Sequence, residues 1–150
     1  MKKQEERAMT VGEVCRRDVL FAEKSLSASE AARLMRCYKV GDLVALEKKA
    51  GRNRVVGVLS DRDIVAHVMS TGVAPDSLTV GDIVVKDCAT LTENEDVRVA
   101  LCRIREKCVQ RMPVVDGKGS LVGLVTLEEL QSRMHGSPSG GSQGGKTVNR

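Results

Sequence analysis

The sequence predicts a mixed fold, α+β or α/β in class, built as two tandem strand–helix–strand–strand–helix units packed with pseudo-two-fold symmetry. Three observations lead there. Residues Thr10 to Val14 read T-V-G-E-V and residues Thr79 to Ile83 read T-V-G-D-I, an offset of 69 residues. The same offset aligns Ala31 with Ala100, Met35 with Ile104 and Val40 with Val109. Finally, apolar residues recur at helical spacing in some stretches and as short β-branched runs bounded by turn residues in others. Two copies covering nearly the whole chain suit a symmetric pair rather than a solenoid.

Residues 1–8 are charged and read as a flexible N-terminus. The first repeat spans 9–74 and the second 75–134; the Gly/Ser-rich residues 135–150 read as a disordered tail. In the first repeat, Val19-Leu20-Phe21 is a short strand. Ser27 then starts a helix, with Glu30 three residues on as the other half of a capping box. Ala28, Ala31, Ala32 and Met35 make its apolar stripe. Leu43 to Leu46 and Val55 to Leu59 are paired strands, the second apolar throughout, as a strand covered on both faces should be. Gly57 and Gly123 are only 66 apart, so the first copy carries three extra residues, assigned to a Lys/Gly/Arg/Asn loop at 47–54. A helix runs from Asp61 to about Met69 and stops near Gly72.

The second copy repeats this order. Cys88 to Leu91 stands for the first strand and Asp96 for the N-cap. Val97, Ala100, Leu101 and Ile104 form the stripe. Met112 to Val115 is a strand entering a turn at Asp116-Gly117, kept short by Gly119. Leu121 to Val125 is the next strand, and Thr126 starts a helix reaching about Met134.

Composition narrows the function. The chain is 41% hydrophobic with one Phe, one Tyr and no Trp, so it offers no aromatic platform for single-stranded nucleic acid. Its net charge of +4 is interspersed rather than gathered in a stripe, which disfavours a nucleic-acid partner. Five cysteines without a C-x-x-C pair, and without a neighbouring histidine, argue against a zinc site or a secreted disulfide framework. The charged N-terminus is no signal peptide. No apolar run approaches the roughly 20 residues that span a bilayer. These features predict a cytoplasmic protein with no membrane partner.

The stretch Val55 to Asp63 organises the chemistry. A buried strand ends at Ser60, and a helix start places a hydroxyl and a carboxylate three residues apart. Free backbone N–H groups and the helix dipole favour an anion there, while Asp63 can accept hydrogen bonds from a diol. Thr126 and Glu129 repeat the arrangement. Both pairs are equally helix-capping signatures. Capping and phosphate binding compete for the same N–H groups.

T-V-G-E-V at Thr10, T-V-G-D-I at Thr79, R-M-P-V-V-D-G at Arg111, G-V-L-S-D-R-D at Gly57 and G-L-V-T-L-E-E at Gly123 together resemble a tandem pair of cystathionine-β-synthase-type (CBS) domains, a Bateman module. The resemblance covers about Met9 to Met134. It implies two βαββα repeats, a homodimer of modules, and regulatory binding of AMP, ADP, ATP or S-adenosylmethionine without a cofactor. By this resemblance Ser60 contacts phosphate and Asp63 the ribose. Val19, Leu20, Phe21, Val40, Gly41, Asp42 and Leu43 would surround the base. Apart from the resemblance, the chemistry of arginine suits Arg62 to a phosphate contact, and its other reading is a solvated surface residue. Thr126, Glu129, Ala89, Thr90, Arg111, Met112 and Pro113 would form a second, weaker site. Glu129 departs from the family's Asp or Asn, and its extra methylene displaces the carboxylate.

No Ser/His/Asp set, Cys/His pair, metal cluster or phosphate-binding loop is legible, so no catalysis is expected. The resulting reading is a nucleotide-sensing regulatory module with an unidentified protein partner. The alternatives are an interaction module with an empty cleft, or a nucleic-acid binder.

Overall fold

The computed structural model describes residues 8–84 and 88–135. The expectations for residues 1–7 and 136–150 lie outside this range. The first sheet holds β1 (Phe21–Glu23), β2 (Asp42–Lys49) and β3 (Arg52–Ser60), in the order β1-β2-β3. The second holds β4 (Leu91–Thr92), β5 (Arg111–Val115) and β6 (Leu121–Thr126), in the order β4-β5-β6. In each, the first pair is parallel and the second antiparallel. The mixed fold with two similar halves is therefore present.

The helices are α1 (Val11–Val14), α2 (Ala28–Tyr38), α3 (Asp61–Thr71), α4 (Val80–Ile83), α5 (Val97–Glu106) and α6 (Leu127–Met134). Each of the long ones starts at a residue the sequence marks. Ser27 Oγ accepts from the Glu30 amide, but Glu30 does not return the bond and pairs with Arg33 instead. The expected capping box there is half formed. Asp96 caps α5 by accepting from the Arg98 amide. α3 ends at Gly72, whose φ of 68° is the left-handed conformation that glycine adopts without a steric cost.

Four sequence expectations shift. β1 begins at Phe21, because Val19 and Leu20 are taken up by packing before the ladder starts. β4 likewise begins at Leu91 rather than at Cys88. The segment 47–54 is not a loop. β2 and β3 pair on through Glu47↔Arg54, Lys48↔Asn53 and Lys49↔Arg52, and only Ala50 and Gly51, both with positive φ, make the turn. In the α2 stripe, Ala28, Ala31 and Met35 are buried but Ala32 is exposed. The α5 stripe of Val97, Ala100, Leu101 and Ile104 is buried as predicted.

The repeats are interlaced. α1 packs on the second sheet: Val11 joins the core of Leu91, Val97, Ile104 and Val125, and its amide bonds Glu95 O at 2.8 Å. α4 packs on the first sheet: Val80 joins Ala31, Leu43 and Leu59, and its amide bonds Leu26 O at 2.8 Å. Each T-V-G motif is thus a lid on the opposite repeat. Between the sheets lies a third cluster, where Val44, Leu46, Val55, Val115 and Leu124 meet with Val19, Val58 and Leu121. Each fully buried aliphatic side chain contributes about 1.5–3 kcal/mol, so this shared seam holds the halves together. β3 is covered on both faces as expected, with Leu59 on its own helices and Val55 on the seam.

Among the described residues no helix is long and apolar enough to cross a membrane, and no group of three His, Cys, Asp or Glu is placed to hold a metal ion.

Candidate ligand-binding site

β3 delivers Ser60 to the start of α3. Ser60 Oγ accepts from the Asp63 amide at 3.0 Å, and Asp63 Oδ2 accepts from the Ser60 amide at 3.0 Å. The capping reading is therefore realised. It leaves Asp63 Oδ1 with no protein hydrogen bond among the described residues, on an exposed side chain. One carboxylate oxygen caps and the other remains available to a diol.

The neighbours follow from the register. Asp42 pairs with Ser60 across the ladder, and Gly41 O accepts from the Asp61 amide at 2.9 Å. Leu43 is fully buried beneath them. Val40, Gly41 and Asp61 also border a cavity of about 600 Å3 between α2 and α3, whose lining includes neither Ser60 nor Asp63. Arg62 is exposed next to this junction. Leu20 bonds the Val44 amide through its carbonyl at 2.8 Å, which sets it beside β2; Val19 packs into the seam and Phe21 is 58% exposed. The first-strand residues thus stand on the β2 side of the sheet, with β2 between them and Ser60.

Arg111 comes from the other repeat. Its Nη1 lies 3.2 Å from Asp42 Oδ2, and among the described residues its buried Nε has no hydrogen-bond partner. The resemblance places Arg111 in the second site; the structure holds it against a residue of the first.

The second junction differs. Thr126 Oγ1 accepts from the Glu129 amide at 3.1 Å, and Glu129 Oε2 accepts from the Thr126 amide at 2.9 Å. Glu129 Oε1 is approached by Arg16 Nε at 3.6 Å. One oxygen of Glu129 caps the helix and the other has only an ion-pair neighbour, since Arg16 Nε makes no hydrogen bond among the described residues. Met112 and Pro113 are buried, while Ala89 and Thr90 are half-buried. Arg103 donates to Thr90 O at 3.0 Å.

Arg16 is a site residue that the sequence did not single out. It reaches Glu129 because the chain after α1 runs along β6: Arg16 and Leu124 exchange amide–carbonyl bonds of 2.9 Å in both directions. Gly123 permits this approach, since a Cβ there would meet Arg16 O at 2.3 Å. This glycine serves backbone packing.

Comparison with known proteins agrees with this architecture. A family model described as "CBS domain" matches residues 11–70 and 80–136. An uncharacterized protein of Methanopyrus kandleri is 34% identical over 124 residues, which is 83% of this chain and 62% of that protein. The chain therefore spans less than two thirds of that relative. Among solved structures, the CBS domain pair of protein MJ0100 in complex with 5-methylthioadenosine and S-adenosyl-L-methionine superposes with a TM-score of 0.71 at 22% identity, covering 87% of this chain and 98% of that one. CBSX2 in complex with AMP superposes with a TM-score of 0.67 at 24% identity, covering 85% and 97% respectively. At such identities these two show the fold.

Proposed function

Because the chain belongs to the CBS domain family, with both of its repeats matched, we propose that it is a regulatory module binding an adenosine-containing ligand between the repeats. AMP, ADP, ATP and S-adenosylmethionine are the candidates, acting as regulatory ligands rather than cofactors. The observation that carries this reading is the meeting of the α3 start with Arg111 across the seam. An anion arriving there finds the Ser60 hydroxyl, the positive end of α3 and the partly exposed Arg111 guanidinium, held at the junction by Asp42. Asp63 Oδ1 stands one helical turn away for a ribose diol. The adenosine compounds bound by MJ0100 and by CBSX2 support this choice of ligand class.

The ligand acts by population shift. It touches both repeats, so it favours the relative orientation it fits, and its effect on a partner is bounded by its differential affinity for the two orientations. The module reports energy or metabolite state to a protein partner, without catalysis of its own. Assembly is a homodimer of modules, for which exposed Val65 and Met69 on α3 supply apolar surface. Five free cysteines fit a reducing, cytoplasmic setting. Thr126 and Glu129 form the weaker second site, because the extra methylene of Glu129 displaces its carboxylate and Arg16 stands 3.6 Å from the oxygen that does not cap.

A second reading, an interaction module with an empty cleft, is favoured by one observation: both capping boxes are closed. A thermal-shift panel of adenosine compounds separates the two. Binding to the folded state alone raises the melting midpoint. A rise with one or more compounds supports the sensor, and none with any supports the interaction module.

A further inference from the structure

A second cavity, of about 440 Å3, lies at the opposite end of β3 from Ser60, between the β2–β3 hairpin and the second repeat. Val55, in its lining, is five residues before Ser60, which along a strand is about 16 Å. Among the described residues its lining carries Lys49, Arg52, Arg54 and Lys118, and no carboxylate. Among the described residues only Arg54 has an acidic partner within 4.0 Å, Glu47 at 3.9 Å, and Glu47 is already held by Lys24 at 2.7 Å.

The clustering is unfavourable in itself. Lys49 and Arg52 are directly opposed across the ladder, an arrangement of like charges that destabilises a hairpin. Arg52 and Arg54, two residues apart, share one face of β3, and both line the cavity. Four cations border one small cavity, and like charges gathered in this way repel, most strongly at low salt.

The pseudo-symmetric cavity provides the internal comparison. It has about 350 Å3 and is bordered by Phe21 and Leu46, the counterparts of Thr90 and Val115 in the basic one. Of the four cations, only Arg52 lines it. The charge therefore belongs to one side of the module. Three of the four come with the first hairpin, whose extra length reaches the second repeat, and Lys118 comes from the β5–β6 turn. Neither helix capping nor core packing accounts for these residues.

The geometry points to a second ligand site, separate from the Ser60 junction: the hairpin groove binds a compact oligophosphate anion. Paired arginine forks suit bidentate phosphate contacts, and two flanking ammonium groups supply the remaining neutralisation. The cavity holds a small molecule, and the charge does not extend as the stripe a nucleic-acid backbone requires.

The test titrates the full chain with inorganic triphosphate by calorimetry at low and at physiological salt. The expected result is saturable binding, weakened about tenfold or more in Arg52→Gln/Lys118→Gln. Binding should stay within about threefold in the control pair Arg105→Gln/Arg133→Gln, which removes the same charge elsewhere. It should also survive Ser60→Ala. Absence of binding overturns the proposal, as does equal loss in both charge pairs, which marks a net-charge effect. Loss in Ser60→Ala would merge the groove with the junction and overturn its separateness. An oligonucleotide that binds more tightly than triphosphate and needs Arg52 and Lys118 would replace the small anion with a nucleic acid. Arg52, Lys118, Arg105 and Arg133 are exposed, so an apo melting midpoint close to the native one shows that the charge variants fold; Ser60→Ala removes the α3 cap, and a single cooperative melt at a lower midpoint shows that it folds.

Discussion

Arg111 Nη1 stands 3.2 Å from Asp42 Oδ2, and these two residues hold the same position in the two repeats, each opening the second strand of its sheet. The pseudo-two-fold axis therefore runs past an ion pair. A symmetric protein would place identical residues there. Opposite charges at the two copies turn a point of symmetry into a clasp.

The clasp makes the first prediction. The Asp42 side chain is only 13% exposed, so the pair sits between the surface and buried regimes. A double-mutant cycle with Asp42→Ala and Arg111→Ala, read by urea unfolding, should give a coupling of about 1 kcal/mol. Additive single effects would mean that the contact is incidental.

Gly123 supplies the second prediction. Alanine at this position meets the Arg16 carbonyl at 2.3 Å, a backbone atom that cannot swing aside. Gly123→Ala should cost about 1–3 kcal/mol or more through forced separation of Arg16 from β6. Gly117→Ala, with nothing within 4 Å of the added carbon, should be close to neutral. Circular dichroism melts of the two variants compare them directly.

Much of this architecture is legible in the sequence, for physical reasons. Repetition fixes the number of units. The buried stripes of α2 and α5 follow from helical spacing, and Ser60, Asp96 and Thr126 follow from capping chemistry. The 47–54 hairpin is not legible, because Lys48, Lys49, Arg52, Asn53 and Arg54 lie on strands that extend past the core and bury no apolar face. Ala50 in a left-handed turn carries none of the usual Asn-Gly signal. The interlacing is hidden for another reason. T-V-G-E-V reads the same whichever sheet it covers, and only tertiary contact brings Arg16 to Glu129. Of the candidate site, the sequence marks the junction that Ser60 and Asp63 cap, while the crossing of Arg111 to Asp42 depends on how the halves pack.

Asp116 gives a pH dependence. Its carboxylate accepts from the Ser120 and Lys118 amides at 3.0 and 2.9 Å, and these bonds hold its pKa below the ordinary carboxylate value. A carboxyl depressed by folding contributes stability above its unfolded pKa of about 3.9, and that contribution is lost as pH falls through the folded value. Asp116→Ala should therefore melt lower than the native chain at pH 7. The gap should narrow as pH drops below about 4. A gap that widens in acid would contradict the assignment.

Thiol chemistry divides the cysteines. Burial pushes the Cys15 and Cys88 thiols up, while Cys37, Cys102 and Cys108 are exposed. Because the thiolate is the nucleophile, iodoacetamide at neutral pH should modify the exposed three first. Peptide mass spectrometry reads the order, and early labelling of Cys88 would mean that the segment leading into β4 opens readily.

The most direct measurement of ligand sensing is calorimetric titration of the full chain with AMP, ATP and S-adenosylmethionine, repeated on Asp63→Ala. Saturable binding of at least one compound is predicted, weakened about tenfold or more in the variant while its apo melting midpoint stays within a few degrees. No binding of any of the three, or equal affinity in Asp63→Ala, would contradict a nucleotide site at the start of α3.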